Sequence, residues 1–189
     1  FFFFFFLGGG GGGWNSVRKI LNFGECESDP SGSVEVTPQP QTTQEYAHDD
    51  GSAESFFNAG SGQFTGVLYS AAAEGEDVVR YKWFQEGDGG AFYIKIYADD
   101  GGTPGAETFS QVVAGGIFAG WNTYDLSADN LVVSGDFWVG TKEFSSTQPF
   151  GLDTSSNSGD SKTRQGTAGE WTDIAGNLMV RVYLDCGDN

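Results

Sequence analysis

Along much of the chain, apolar and polar residues alternate with a period of two. In "AFYIKIYA", Phe92, Ile94 and Ile96 fall on one side and Tyr93, Lys95 and Tyr97 on the other. In "NLMVRVYLD", Leu178, Val180, Val182 and Leu184 form an inward set, with Met179, Arg181 and Tyr183 outward. "DFWVGTKEF" sets Phe137 and Val139 against Trp138 and Lys142. A two-residue period is that of a half-buried strand. "GQFTGVLY", "VVRYKWFQ", "ETFSQVV", "WNTYDL" and "NLVVS" are further strand segments. Between them stand "DDGS", "EGDGG", "DDGGTPG", "SADN", "NSGD" and "AGN", which carry the residues that tight turns select. No segment holds a helical repeat over four turns. Short strands with turns every 8–12 residues predict an all-β fold over 46–186, an antiparallel β-sandwich of jelly-roll type.

The pattern stops outside that span. Residues 14–45 contain "PSGSVEVTPQPQTTQ", rich in Pro, Ser, Thr and Gln. Proline pushes each preceding residue to extended backbone, so this stretch reads as an irregular or disordered extension and linker, with the domain beginning near Glu45. Residues 187–189 form a short tail. Residues 1–13, "FFFFFFLGGGGGG", are a low-complexity tract. Seven apolar residues are far fewer than the roughly 20 a bilayer span needs. No basic region precedes them and no small-residue cleavage site follows, so they do not read as a signal peptide. Repeated TTT codons, one TTG and repeated GGG codons would encode the tract, so it reads as a homopolymer artefact. A first residue other than Met fits a fragment or a processed form.

Composition narrows the partners. A net charge of -17 over 189 residues argues against nucleic acid, whose phosphates require clustered Lys and Arg. It also disfavours an anionic membrane surface. Aromatic residues make up 15% of the chain, enough to build a core and so to outweigh the disorder that high net charge promotes. A domain of about 140 residues buries roughly two-thirds of its unfolded surface and needs no metal or disulfide to fold. The two cysteines, Cys26 and Cys186, lie near opposite ends. Either they pair, tying the linker to the last strand in an oxidising compartment, or they are unpaired thiols or bond to partners outside this fragment.

Three sets of residues carry candidate chemistry. The single histidine, His48, sits beside a turn and reads as a solvated surface residue, since imidazole-based catalysis needs a buried, oriented ring. Paired carboxylates for glycoside hydrolysis exist arithmetically among 26 acids, but most of those acids occupy turns. No catalytic residue is assigned. Asp49, Asp50, Asp99, Asp100, Asp153 and Asp160 are hard oxygen ligands in loops, as calcium requires, yet Asp-Gly pairs equally serve turns. Calcium is therefore the one cofactor these residues suggest. Most of the few bases lie in strands beside aromatic residues. Tyr93, Lys95, Tyr97, Trp138, Arg181 and Tyr183 would form one aromatic-basic face if their strands were neighbours. Such a face can stack sugar rings or dock an acidic partner; a solvated sheet face with ordinary cross-strand pairs is the alternative.

"YADDGGTPGAETF", "GWNTYDLSADNLVVSGDFWVGTK" and "FGLDTSSNSGDSKTRQGTAGEWTDIAGNLMVRVYL" together resemble a β-sandwich module of bacterial secreted multidomain proteins. Those proteins often end in a type IX C-terminal sorting domain, and the module often follows a catalytic domain. The resemblance covers about residues 46–186, and its motifs are mostly strand and turn punctuation. It implies a non-catalytic accessory or adhesion-like role and supplies no catalytic residues.

The expectation is a secreted or cell-surface, non-catalytic module of a larger protein, with surface glycans or other domains of the same polypeptide as partners. It has no nucleic-acid partner and no membrane span. Two alternatives follow. One is a structural subunit or stalk module whose segment 33–45 adds to a neighbouring sheet edge in self-assembly. The other is a carboxylate-based glycosidase.

Overall fold

The structure is a computed structural model and describes residues 42–144 and 149–185. Twelve strands and no helix are found among the described residues. They are β1 (Thr43–Tyr46), β2 (Ser55–Phe57), β3 (Phe64–Gln85), β4 (Phe92–Asp99), β5 (Pro104–Val113) and β6 (Gly120–Asp125). Then follow β7 (Val132–Glu143), β8 (Phe150–Asp153), β9 (Ser161–Arg164), β10 (Trp171–Asp173), β11 (Asn177–Leu178) and β12 (Val180–Asp185). Every pairing is antiparallel, and the sheet does not close on itself. No helix among the described residues is long and apolar enough to cross a membrane.

The main hydrogen-bonded path runs β1-β12-β3-β7-β4-β5. Strand β3 organises it. The segments "GQFTGVLY" and "VVRYKWFQ", which read as two strands in the sequence, belong to one strand of 22 residues. Its first half pairs with β7 on one side and β9 on the other. Its second half pairs with β12 and β6. Between the halves the register slips from Ala71↔Gly135 to Glu76↔Val133, a large bulge with Gly75 at φ 100. Bulges of this kind bend a strand so that it passes from one packed layer to the other. The buried Glu76 closes the bulge, accepting from the Ala72 N–H at 2.7 Å and the Tyr46 hydroxyl at 3.4 Å.

Two layers result. The first contains β10, β9, the start of β3, β7, β4 and β5; the second contains β1, β12, the end of β3 and β6. Phe92, Ile94 and Ile96 are fully buried between them, facing Tyr81, Trp83, Val180 and Val182. Phe92 meets Trp83 edge-on at 5.1 Å and Tyr81 at 6.4 Å, which ties β4 of one layer to β3 of the other. Burial of each such side chain contributes about 1.5–3 kcal/mol. Strand β1 carries Glu45 into the sheet as the partner of Tyr183, so pairing begins inside the span read as linker. Met179 departs from its expected outward place. Strand β8 lies across it, the Gly151 carbonyl accepts its N–H at 2.9 Å, and the side chain is fully buried.

Candidate functional site

The outer side of the second layer is an ordered array of charged and aromatic side chains. Cross-strand register lines up Glu45, Tyr183, Arg80 and Asp125 in one row. Arg181, Lys82 and Thr123 form the next, followed by Phe84 and Trp121. Residues paired this way share a face and lie close enough to interact. The Trp121 ring lies 4.4 Å from the Arg181 guanidinium and 4.7 Å from the Lys82 ammonium. Arg80 stands 4.9 Å over the Tyr183 ring. Glu45 gathers the row: it accepts from Arg181 Nη1 at 2.8 Å, from the Tyr183 hydroxyl at 2.8 Å and from Lys82 at 3.3 Å. Partial burial would raise the Glu45 carboxyl, but the bonds from Arg181, Tyr183 and Lys82 outweigh it and hold it below the ordinary carboxylate range. The Asp49 carboxylate grips Arg181 Nε at 3.1 Å and, with Glu45, pushes the guanidinium further up. Trp121, Tyr183, Lys82 and Arg181 are half-buried, so rings and polar groups meet solvent together.

The six residues expected on one aromatic-basic face do not share it. Arg181 and Tyr183 lie on the second layer, whereas Tyr93, Lys95, Tyr97 and Trp138 lie on the outer side of the first. Trp138 is fully buried and Tyr97 is 3% exposed, packed with Phe64, Leu68 and Trp171. Gly66 makes this possible: a Cβ there would stand 3.3 Å from the Trp138 ring. The Trp138 indole N–H donates to Asp99 at 2.7 Å, and complete burial of the side chain leaves no open ring face for stacking. Lys95 is 8% exposed and paired with Glu107 at 2.8 Å. Tyr93 alone of these four is half-buried, its ring 4.3 Å from that of Phe144. Trp121, Lys82, Arg80 and Glu45 complete the array around Arg181. The strands of Trp121, Lys82 and Arg80 were legible, but β1, which carries Glu45, and the cross-strand register that gathers the four were not.

The acidic residues separate as well. Asp49 pairs with Arg181, Asp99 caps the turn at Gly102 and Trp138, and Asp100 lies in that same turn. Asp160 faces His48. Only Asp50 and Asp153 meet, joined by Glu54, each offering an oxygen within 4.8 Å of the others. These three are the described residues that can hold a hard cation. All three already accept hydrogen bonds. Asp153 takes the Ser155 N–H and hydroxyl, the Ser156 hydroxyl and the Asp50 N–H; Asp50 takes the Ser52 N–H; Glu54 takes the Thr154 N–H. Burial would raise the Asp153 carboxyl, yet those donors lower it to about 2. A glycosidase acid needs a raised value, and the lowered Asp153 carboxyl is the opposite.

His48 is not the solvated residue its surroundings in the sequence suggest. Its ring stacks on Tyr69 at 4.9 Å, Nε2 donates to the Leu68 carbonyl at 2.7 Å, and Nδ1 lies 3.6 Å from Asp160. It lines a shallow cleft of about 330 Å³ with Tyr46, Leu68, Ser70 and Asp160. The Ser70 hydroxyl donates to Asp136, so it serves the β3–β7 pair. Cys26 and Cys186 lie outside the described residues.

No family model matches the chain. No curated protein matches it either. Among solved structures, the clostridial cysteine protease Cwp84, in a form taken after propeptide cleavage, superposes with a TM-score of 0.57 at 13% identity, over 76% of this chain and 40% of that one. The likeness is one of fold. A second structure, holding the cysteine protease and lectin-like domains of Cwp84, a surface layer associated protein of Clostridium difficile, gives a TM-score of 0.50 at 13% identity. It covers 66% of this chain and 32% of that one. The chain thus spans about a third to two-fifths of the proteins it superposes on. The resemblance to secreted β-sandwich modules holds at the level of a β-rich fold found in multidomain surface proteins; the type IX association gains no support from these comparisons.

Proposed function

We propose that this chain is a non-catalytic, extracellular accessory module of a larger surface protein, and that it binds carbohydrate on the outer side of the β1–β12–β3–β6 layer. The observation that carries this reading is the pair of half-buried rings, Trp121 and Tyr183, set among Glu45, Arg80, Lys82 and Arg181. Aromatic rings supply large apolar area at low entropic cost, while fixed polar groups around them orient hydroxyls. The Glu45 network holds its donors and acceptors in place before a ligand arrives, which lowers the cost of binding. The fold shared with chains that contain a lectin-like domain is consistent with this role, as is their surface location.

The test is retention of the purified protein on a panel of insoluble neutral polysaccharides. Binding to at least one, competed by its soluble oligosaccharide, is expected. Free elution from every member of the panel overturns the carbohydrate reading.

A further inference from the structure

The outer side of the first layer carries a row with a different chemical character. Register places Trp171, Arg164, Phe64, Lys142 and Tyr93 side by side across β10, β9, β3, β7 and β4. Aromatic and basic residues alternate along it. The Arg164 guanidinium lies 4.7 Å from the Trp171 ring and 4.6 Å from that of Phe64. The Lys142 ammonium lies 5.4 Å from Phe64 and 5.9 Å from Tyr93. With neighbouring strands about 4.8 Å apart, the row extends for about 19 Å.

Among the described residues its cations lack counter-charges. Lys82, Lys95, Lys162 and Arg181 each have a carboxylate partner. Arg164 and Lys142 are also half-buried, yet neither has a carboxylate within 4.0 Å among the described residues. In a protein of net charge -17, with acids available nearly everywhere, two such cations in one row are a conspicuous gap. A second observation is independent of charge. Three polar atoms in this region, Arg164 Nε, Trp171 Nε1 and the hydroxyl of the 3%-exposed Tyr97, are buried without a hydrogen-bond partner among the described residues. Tyr97 meets the Trp171 ring edge-on at 6.1 Å; burial, and then the Glu107 carboxylate, push its hydroxyl up, while nearby Arg164 acts in the opposite direction. All three groups can donate. Buried donors without acceptors are rare in native proteins, and a cluster of them calls for an acceptor.

We propose that the Trp171–Arg164–Phe64–Lys142–Tyr93 row is a second binding site, which takes an acidic saccharide through its carboxylate. A carboxylate supplies both the missing charge and the missing acceptor, and guanidinium is the donor best shaped for it. The half-buried rings of Trp171 and Tyr93 at the two ends offer apolar surface to the sugar. This site lies on the opposite layer from the array around Trp121 and stands or falls separately from it.

The probe is an oligogalacturonate, with the neutral oligogalactoside of equal length as control. Calorimetry is expected to show binding of the uronate that weakens as salt rises, and none of the neutral oligomer. The Trp171 indole N–H resonance, assigned with Trp171→Phe, is expected to shift during the titration. Lys142→Gln and Arg164→Gln should each weaken uronate binding at least about tenfold, a loss of ~1.4 kcal/mol. If Arg164→Gln fails to fold, Arg164→Lys and Lys142→Gln carry the comparison. Retention on neutral polysaccharide should not change in these variants. No uronate binding, or binding unaffected by Lys142→Gln with a stationary Trp171 signal, overturns the proposal.

Discussion

Asp99 accepts a 2.7 Å hydrogen bond from the indole N–H of Trp138, 39 positions away in the chain and fully buried. The bond is the first cause of the lowered Asp99 carboxyl, ahead of its backbone donors at Gly102 and Gly101. It anchors the β4–β5 turn to the middle of β7. It also changes what a substitution at Trp138 means.

Trp138→Ala is expected to destabilise the domain by about 3–5 kcal/mol, the usual cost of removing a buried aromatic. Any loss of ligand binding should therefore follow loss of structure. Chemical denaturation of the variant checks this: an unchanged midpoint would show that Trp138 is not part of the packing.

The longer strands were legible because alternation is a property of single strands. Phe92, Ile94 and Ile96 read as one buried face, and they are. Alternation is blind to what covers the other face. Trp138, Tyr97 and Lys95 read as exposed, and they are buried by long-range packing against Trp171, Leu68 and Glu107. Strand β9, "SKTR", is short and polar and gave no strand signal, yet it supplies Arg164. Partnership between strands was equally hidden. Arg181 and Lys95 stand in similar local sequence but on different layers, and only the course of β3 through its bulge decides that.

Acid should unfold the domain through identifiable groups. The Glu45 and Asp153 carboxyls lie below their ordinary values when folded, Asp153 at about 2. A lowered folded value contributes stability that is complete above the unfolded value, about 4, and is lost as pH falls toward the folded one. Thermal melts should thus drop between about pH 4 and pH 2. Glu45→Gln should flatten the upper part of that fall. An unchanged profile in the variant would contradict the role given to the Glu45 network.

The Asp50, Glu54 and Asp153 carboxylates already serve the turns around them. Adding millimolar calcium, or chelating it, is expected to leave the melting temperature unchanged. A rise of several degrees on calcium addition, lost in Asp50→Asn, would instead mark the trio as a cation site.

Trp121→Ala removes the larger ring of the outer face while leaving the buried core intact. On a neutral polysaccharide that retains the unaltered protein, the variant should lose affinity by about 30-fold, or ~2 kcal/mol. Its circular dichroism and melting temperature should stay close to those of the parent. Equal retention of parent and variant would contradict carbohydrate binding on the Trp121–Tyr183 face.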